Sequence, residues 1–166
     1  MGFFSARESA DPIRPISQER IAALLDGQGW HYQIDDEGDL GGVWNGNSFY
    51  FLLTGQDQEL LQVLGYLRPR IPAEQVEALR QFVEDWHRDH FWPKCYVLDD
   101  PDDGSLRLAA TVTIDHEQGA TDAQLLQHLL CGLGTSGQVF SAACEAFGLE
   151  DPDRPEDPDR PEDPES

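Results

Sequence analysis

Val76, Leu79, Val83, Trp86 and His90 recur at three- and four-residue steps, with Phe82 widening the stripe. Glu77, Arg80, Glu84 and Arg88 fall on the opposite side, so the spacing predicts one amphipathic helix. Pro72 suits its first turn, where a missing N–H would be unpaired anyway. Pro93 biases Trp92 out of helical geometry and ends the helix. Trp86, Phe91 and Trp92 gather at the corner that follows, which predicts a buried aromatic joint leading into a buried strand at 95–98.

Upstream, Ser17 opens a first helix, with Ile16 and Ile21 placed as a hydrophobic staple and Leu24 and Leu25 completing its buried side. Trp30, Tyr32 and Ile34 alternate with polar residues, as a strand does. A short strand follows at 40–44, and Asn45-Gly46 suits a two-residue hairpin turn because both residues tolerate positive φ. Residues 49–53 are all apolar, which predicts a central strand, and 60–67 reads as the next. Leu106, Leu108, Ala110, Val112 and Ile114 alternate with Arg107, Ala109, Thr111 and Thr113, a strand with one buried side. Thr121 and Gln124 make a capping box for a last helix, which the glycines at 132–137 are expected to interrupt. The predicted class is α+β: a single antiparallel sheet of five or six strands with three helices.

Strand parity carries a functional expectation. Phe49, Phe51 and Leu53 point to one side of the sheet, and Tyr50 and Leu52 to the other. Leu61, Val63 and Leu67 likewise oppose Leu60, Leu64 and Tyr66. Both faces are therefore apolar, and three helices have stripes enough for one. Tyr50, Leu52, Leu64 and Tyr66 become candidate protein-binding residues, and a symmetric homodimer is the commonest way to cover such a patch.

Composition narrows the partners. A formal charge of −21 argues against nucleic acid and anionic membranes, which need a basic patch. No apolar run approaches a membrane span, and the N-terminus lacks the basic and apolar regions of a secretory signal, so a cytoplasmic protein is expected. Cys95, Cys131 and Cys144 have no C-x-x-C spacing and read as small buried hydrophobes. From residue 150 the composition changes, with D-P-D-R-P-E at 151–156 and again at 157–162. Without an aliphatic or aromatic residue, that stretch cannot repay the entropy of ordering. The expected organisation is a loose lead-in at 1–15, one domain at 16–148, and a disordered acidic Pro-rich tail at 149–166.

Three patterns invite chemistry. His87 and His90, beside Asp85 and Asp89, could share a metal, yet no third ligand stands at a related spacing. The acidic turns at 35–39 and 99–103 invite calcium, but the second has Pro101 at a ligand position and Ala110 where an EF-hand needs glutamate. Gly132-Leu133-Gly134-Thr135-Ser136-Gly137 matches G-x-G-x-x-G, but it follows a leucine-rich helix and not a strand. No catalytic residue, cofactor or metal is expected.

Four segments occur in a telling order: G-W-H-Y-Q-I-D-D-E-G-D-L-G-G-V-W at 29–44, I-P-A-E at 71–74, D-W-H-R at 85–88 with W-P-K at 92–94, and D-x-x-x-G-A-T-D-A-Q-L at 115–125. Together they resemble the YbjN-type family of small bacterial proteins, associated with sensory or regulatory roles, over roughly residues 16–148. The resemblance implies a fold like that of type III secretion chaperones and a binding or adaptor role, and it supplies no catalytic residue. His87 stands where that family often has asparagine. The function expected is a non-enzymatic regulatory or chaperone-like module for a protein or peptide partner. The alternative is a small metal-dependent enzyme or regulator built on the His87/His90 helix.

Overall fold

The computed structural model describes residues 11–153. In chain order these form α1 (Gln18–Gly27), β1 (Gln33–Ile34), β2 (Leu40–Trp44), β3 (Asn47–Thr54), β4 (Leu60–Tyr66), a 3-10 turn (Ala73–Gln75), α2 (Val76–Asp89), β5 (Lys94–Asp99), β6 (Leu106–Asp115) and α3 (Asp122–Phe147). The six strands make one antiparallel sheet in the order β1-β2-β3-β4-β6-β5, so the fold is α+β with three helices, as the patterning predicts. The first 10 residues and residues 154–166, with most of the lead-in and of the expected tail, lie outside the described part.

Local chemistry sets the element ends. The Ser17 hydroxyl accepts from the Arg20 backbone N–H and caps α1. Thr121 and Gln124 close the capping box of α3, and Asp11 adds to it by accepting from the backbone N–H groups of Asp122 and Ala123. Those two bonds hold the Asp11 carboxyl below the usual carboxylate range. The β2–β3 turn has φ 50° at Asn45 and 71° at Gly46, the left-handed pair that such a hairpin requires.

All three helices lie on one side of the sheet. Ile21 and Leu25 of α1, Leu79 of α2, and Leu125, Leu129 and Phe140 of α3 share a core with the strand residues of matching parity: Leu40, Phe49, Phe51, Leu61, Val63 and Leu108. The middle of α2 meets the end of α3 through Phe82 and Phe147, whose ring centroids are 5.7 Å apart.

Four expectations change. α3 runs unbroken through its glycines. A Cβ at Gly132 would sit 2.6 Å from that of Val63, so this glycine lets the helix lie directly on β4. Packing thereby outweighs a helix-interior cost of about 1 kcal/mol per glycine. β5 is an edge strand and not a buried one; Cys95 is buried but Leu98 is 40% exposed. The aromatic joint is looser than predicted, with Phe91 wholly exposed and Trp92 53% exposed. Trp86 is the member that packs, against Phe82, because only it stays on the helix stripe. The strand expected around Trp30, Tyr32 and Ile34 shrinks to Gln33–Ile34, and Trp30 instead meets Trp44 edge to face from the preceding loop.

Candidate functional site

The side of the sheet away from the helices is bare. Antiparallel register sets Tyr50 opposite Leu64 and Tyr66 opposite Ser48, with Leu52 one step along β3. All four candidate residues lie on that side, and together they line one shallow hollow of about 350 Å³. Tyr50 and Tyr66 meet edge to face at 6.2 Å. Gly41 of β2 makes this possible: a Cβ there would come within 2.8 Å of the Tyr50 ring. The same side continues over β6 and β5, where the buried Ala109 and Thr111 pair with Tyr66 and Leu64 on one flank and with the edge residues Tyr96 and Lys94 on the other. Tyr96 is not among the residues that the strand patterning singles out. Its parity opposite to Cys95, once that strand is placed beside β6, would have found it.

Charge rims the hollow. Arg107 lays its guanidinium 4.8 Å over the Tyr66 ring, and Asp35, Glu37 and Asp39 face it from the β1–β2 turn. That turn locks itself: the Asp35 carboxylate accepts from the N–H of Glu37 (3.0 Å) and of Asp39 (2.9 Å), and Gly38 takes φ 90°. It is an Asx turn, which accounts for its acids without calcium. A neighbouring hollow of about 460 Å³ extends the surface past His31, Tyr32 and Val43.

His87 of α2 and His90, which caps its C-terminal end, are engaged elsewhere. Nε2 of His87 accepts the backbone N–H of Cys95 at 2.8 Å, so its lone pair ties α2 to the edge strand. The His90 ring stacks on Trp86 with centroids 3.8 Å apart, its Nδ1 3.2 Å from the Trp86 carbonyl. A shared metal would have to break the first contact. Among the described residues no three His, Cys, Asp or Glu side chains converge as a metal site. Burial pushes the Cys95 thiol up to about 12, and that of Cys144 to about 11, which keeps both protonated and unreactive.

One pairing was hidden from the sequence. His116, at the end of β6, brings Nε2 within 3.2 Å of Nδ1 of His128 on α3. Burial lowers both pKa values, and for His116 the repulsion from His128 and Arg20 adds to it against the pull of Asp115. A single proton shared between the rings makes the bond; protonating both destroys it. Because the folded values lie below the ordinary 6.5, the unfolded chain binds more protons in this window. Stability is therefore full above about pH 6.5 and falls as the pH drops through the folded values. Urea titrations on either side of that window should show wild type losing stability and His116→Gln/His128→Gln losing measurably less.

The comparisons with known proteins fit this fold. A family model, YbjN, described as "Putative bacterial sensory transduction regulator", matches residues 17–145. The fold is similar to the crystal structure of YbjN from E. coli, titled "a putative transcription regulator", with TM-score 0.68 and 14% identity over 83% of this chain and 98% of that one. It is also similar to an uncharacterized protein from Methanothermobacter thermautotrophicus, with TM-score 0.56 and 16% identity over 80% and 100% of the two chains. A chain in the HopA1-SchA chaperone-effector complex aligns with TM-score 0.48 and 15% identity over 79% of this chain and 99% of that one. No curated protein sequence matches significantly.

Proposed function

The chain belongs to the YbjN family, and from that membership and its bare sheet face we propose a non-catalytic regulatory or chaperone-like module that holds a protein partner. The observation that carries this reading is the row of half-buried side chains Tyr50, Leu52, Leu64 and Tyr66 around one hollow, left uncovered because every helix packs on the other side. Tyr50, Leu52, Leu64 and Tyr66 form the centre of that hollow, where aromatic residues such as the two tyrosines contribute most to binding. Asp35, Glu37 and Asp39 outnumber Arg107 at the rim, so the favoured occupant is a protein segment with apolar anchors and basic flanks.

A second copy of the chain is the other reading. In a two-fold dimer Arg107 of one copy can face the acidic turn of its partner, and the pattern then repeats in reverse. The net charge of −21 opposes that association at low salt and is screened at physiological salt. The same charge sets the module against nucleic acid and anionic membranes. No helix among the described residues is long and apolar enough to cross a membrane. The free thiols of Cys95, Cys131 and Cys144 suit the reducing cytoplasm, where we place it.

Leu64→Glu tests the face. It puts an unpaired carboxylate at the centre of the contact and should weaken partner capture by about tenfold or more, equivalent to about 1.4 kcal/mol. A photo-crosslinker at Tyr66 should trap the partner, and one at Arg80, on the exposed side of α2, should not. Equal trapping from both positions would sink the reading. Light scattering separates the two occupants: a self-associating chain exceeds 18.6 kDa and returns to it in Leu64→Glu.

A further inference from the structure

His116 continues the parity of Leu106, Leu108 and Ala110, the residues of β6 that join the core under the helices. Its backbone is pinned on both sides: the N–H donates to the Glu59 carbonyl at 2.9 Å, and the carbonyl accepts from Gly119 at 2.7 Å. His128 follows Leu125 by three positions on α3, beside the stripe that packs on the sheet. His116 is 6% exposed and His128 is half-buried. Both rings are therefore carried by rigid elements, as a site needs if its geometry is to be held.

The way the rings meet is informative. Nε2 of His116 stands 3.2 Å from Nδ1 of His128, the ring centroids are 5.0 Å apart, and the planes cross at 41°. A straight N–H···N bond over that distance would hold the centroids about 5.5 Å apart. The shorter separation means that the two nitrogens do not face each other head-on. A zinc ion bound by both at about 2.05 Å, in tetrahedral geometry, would set them about 3.3 Å apart and the centroids about 5.2 Å apart. The pair stands within about 0.2 Å of both separations.

Donor chemistry agrees with the geometry. Imidazole nitrogen suits zinc, nickel and copper, whereas magnesium and calcium take oxygen. Burial lowers both pKa values, so both rings are neutral at neutral pH, which is the form that ligates. The ring with its proton on the inner nitrogen has only to move it to the outer one. The field favours a cation: the chain carries −21, and Asp115 adjoins His116. Arg20 opposes it, but the guanidinium is held by Asp122 at 2.6 Å. No third His, Cys, Asp or Glu joins the pair among the described residues, so water completes the coordination.

We propose that His116 and His128 form a two-histidine site for a divalent transition cation, zinc in the first place, bound through His116 Nε2 and His128 Nδ1. The metal takes the place of the proton that the rings otherwise share. It clips the end of β6 to α3 on the helix side of the sheet and leaves the Tyr50–Tyr66 side free, so the site stands independently of the partner reading. A permanent structural zinc takes four protein ligands. With two, the ion exchanges readily, and the site fills and empties with the supply of metal. Because the ion binds the folded pair and not the separated rings, filling the site stabilises the fold.

The test titrates the full chain, without a histidine tag and stripped of metal by a chelator, with zinc sulfate above about pH 7. One zinc should bind per chain. His116→Gln and His128→Gln should each weaken binding by about tenfold or more, since even losing a residue that only orients a ligand costs that much. His87→Gln/His90→Gln should bind as wild type does, and magnesium should not compete. Ring-nitrogen NMR of the wild-type chain gives a readout that no folding defect can mimic. Zinc should leave the protons on the outer nitrogens, Nδ1 of His116 and Nε2 of His128. Binding that survives His128→Gln, or that is lost in His87→Gln/His90→Gln, would overturn the proposal. So would tautomers unmoved by excess zinc, or no binding at millimolar zinc, in which case a shared proton is all that the pair holds.

Discussion

Phe49→Ala should cost about 3–5 kcal/mol of folding stability, toward the upper end of that range. Phe49 is 2% exposed in the middle of β3, with Trp44 edge-on at 6.2 Å and Phe140 of α3 at 6.1 Å. Its ring lies over Gly65 of the next strand, where a Cβ would come within 2.5 Å of it. The void left by alanine is thus floored by backbone and roofed by a 26-residue helix, and neither can move in to fill it. Urea denaturation should show the midpoint falling with the slope unchanged. A loss below about 1 kcal/mol would mean that the site collapses, against the rigid packing described.

Arg20→Ala should cost about 2–4 kcal/mol, through hydrogen bonds and not through packing. The side chain is 12% exposed, and its Nε and Nη2 both donate to Asp122 Oδ1, at 3.1 and 2.6 Å. Its remaining donors reach the carbonyls of Arg14 (2.8 Å), Pro15 (2.7 Å) and Ala120 (2.9 Å). One guanidinium thereby ties the N-terminal segment to α1 and to the start of α3. Alanine leaves the Pro15 carbonyl without its donor, leaves those of Arg14 and Ala120 with only each other's N–H, and leaves Asp122 with the half-exposed Arg14. Lysine should rescue little, since a single ammonium cannot reproduce a planar fork with five donors. Hydrogen exchange gives the local readout: the paired amides of Arg14 and Ala120 should lose protection before the sheet does. Equal loss throughout would show that Arg20 acts on global stability alone.

The sequence by itself determined the features that one segment can encode. The helix stripe of α2, the Thr121–Gln124 box and the Asn45-Gly46 turn follow from backbone geometry and from side chains a few residues apart. Parity within β3 and β4 was enough to put Tyr50, Leu52, Leu64 and Tyr66 on one side, because strand residues alternate whatever the partner strand is. The tertiary structure alone decided what depends on which segments meet. Arg20 and Asp122 lie 102 residues apart, and His116 and His128 pair only because β6 turns into α3 at that angle. Local propensity argued for a break at Gly132, and the close approach of α3 to Val63 overrode it. The 95–98 segment has the composition of a buried strand, yet it became an edge, since strand order is fixed by the global topology and not by any one strand. His87 follows the same logic: its place beside His90 suggested a metal, and the nearness of β5 gave its ring nitrogen a backbone N–H to accept.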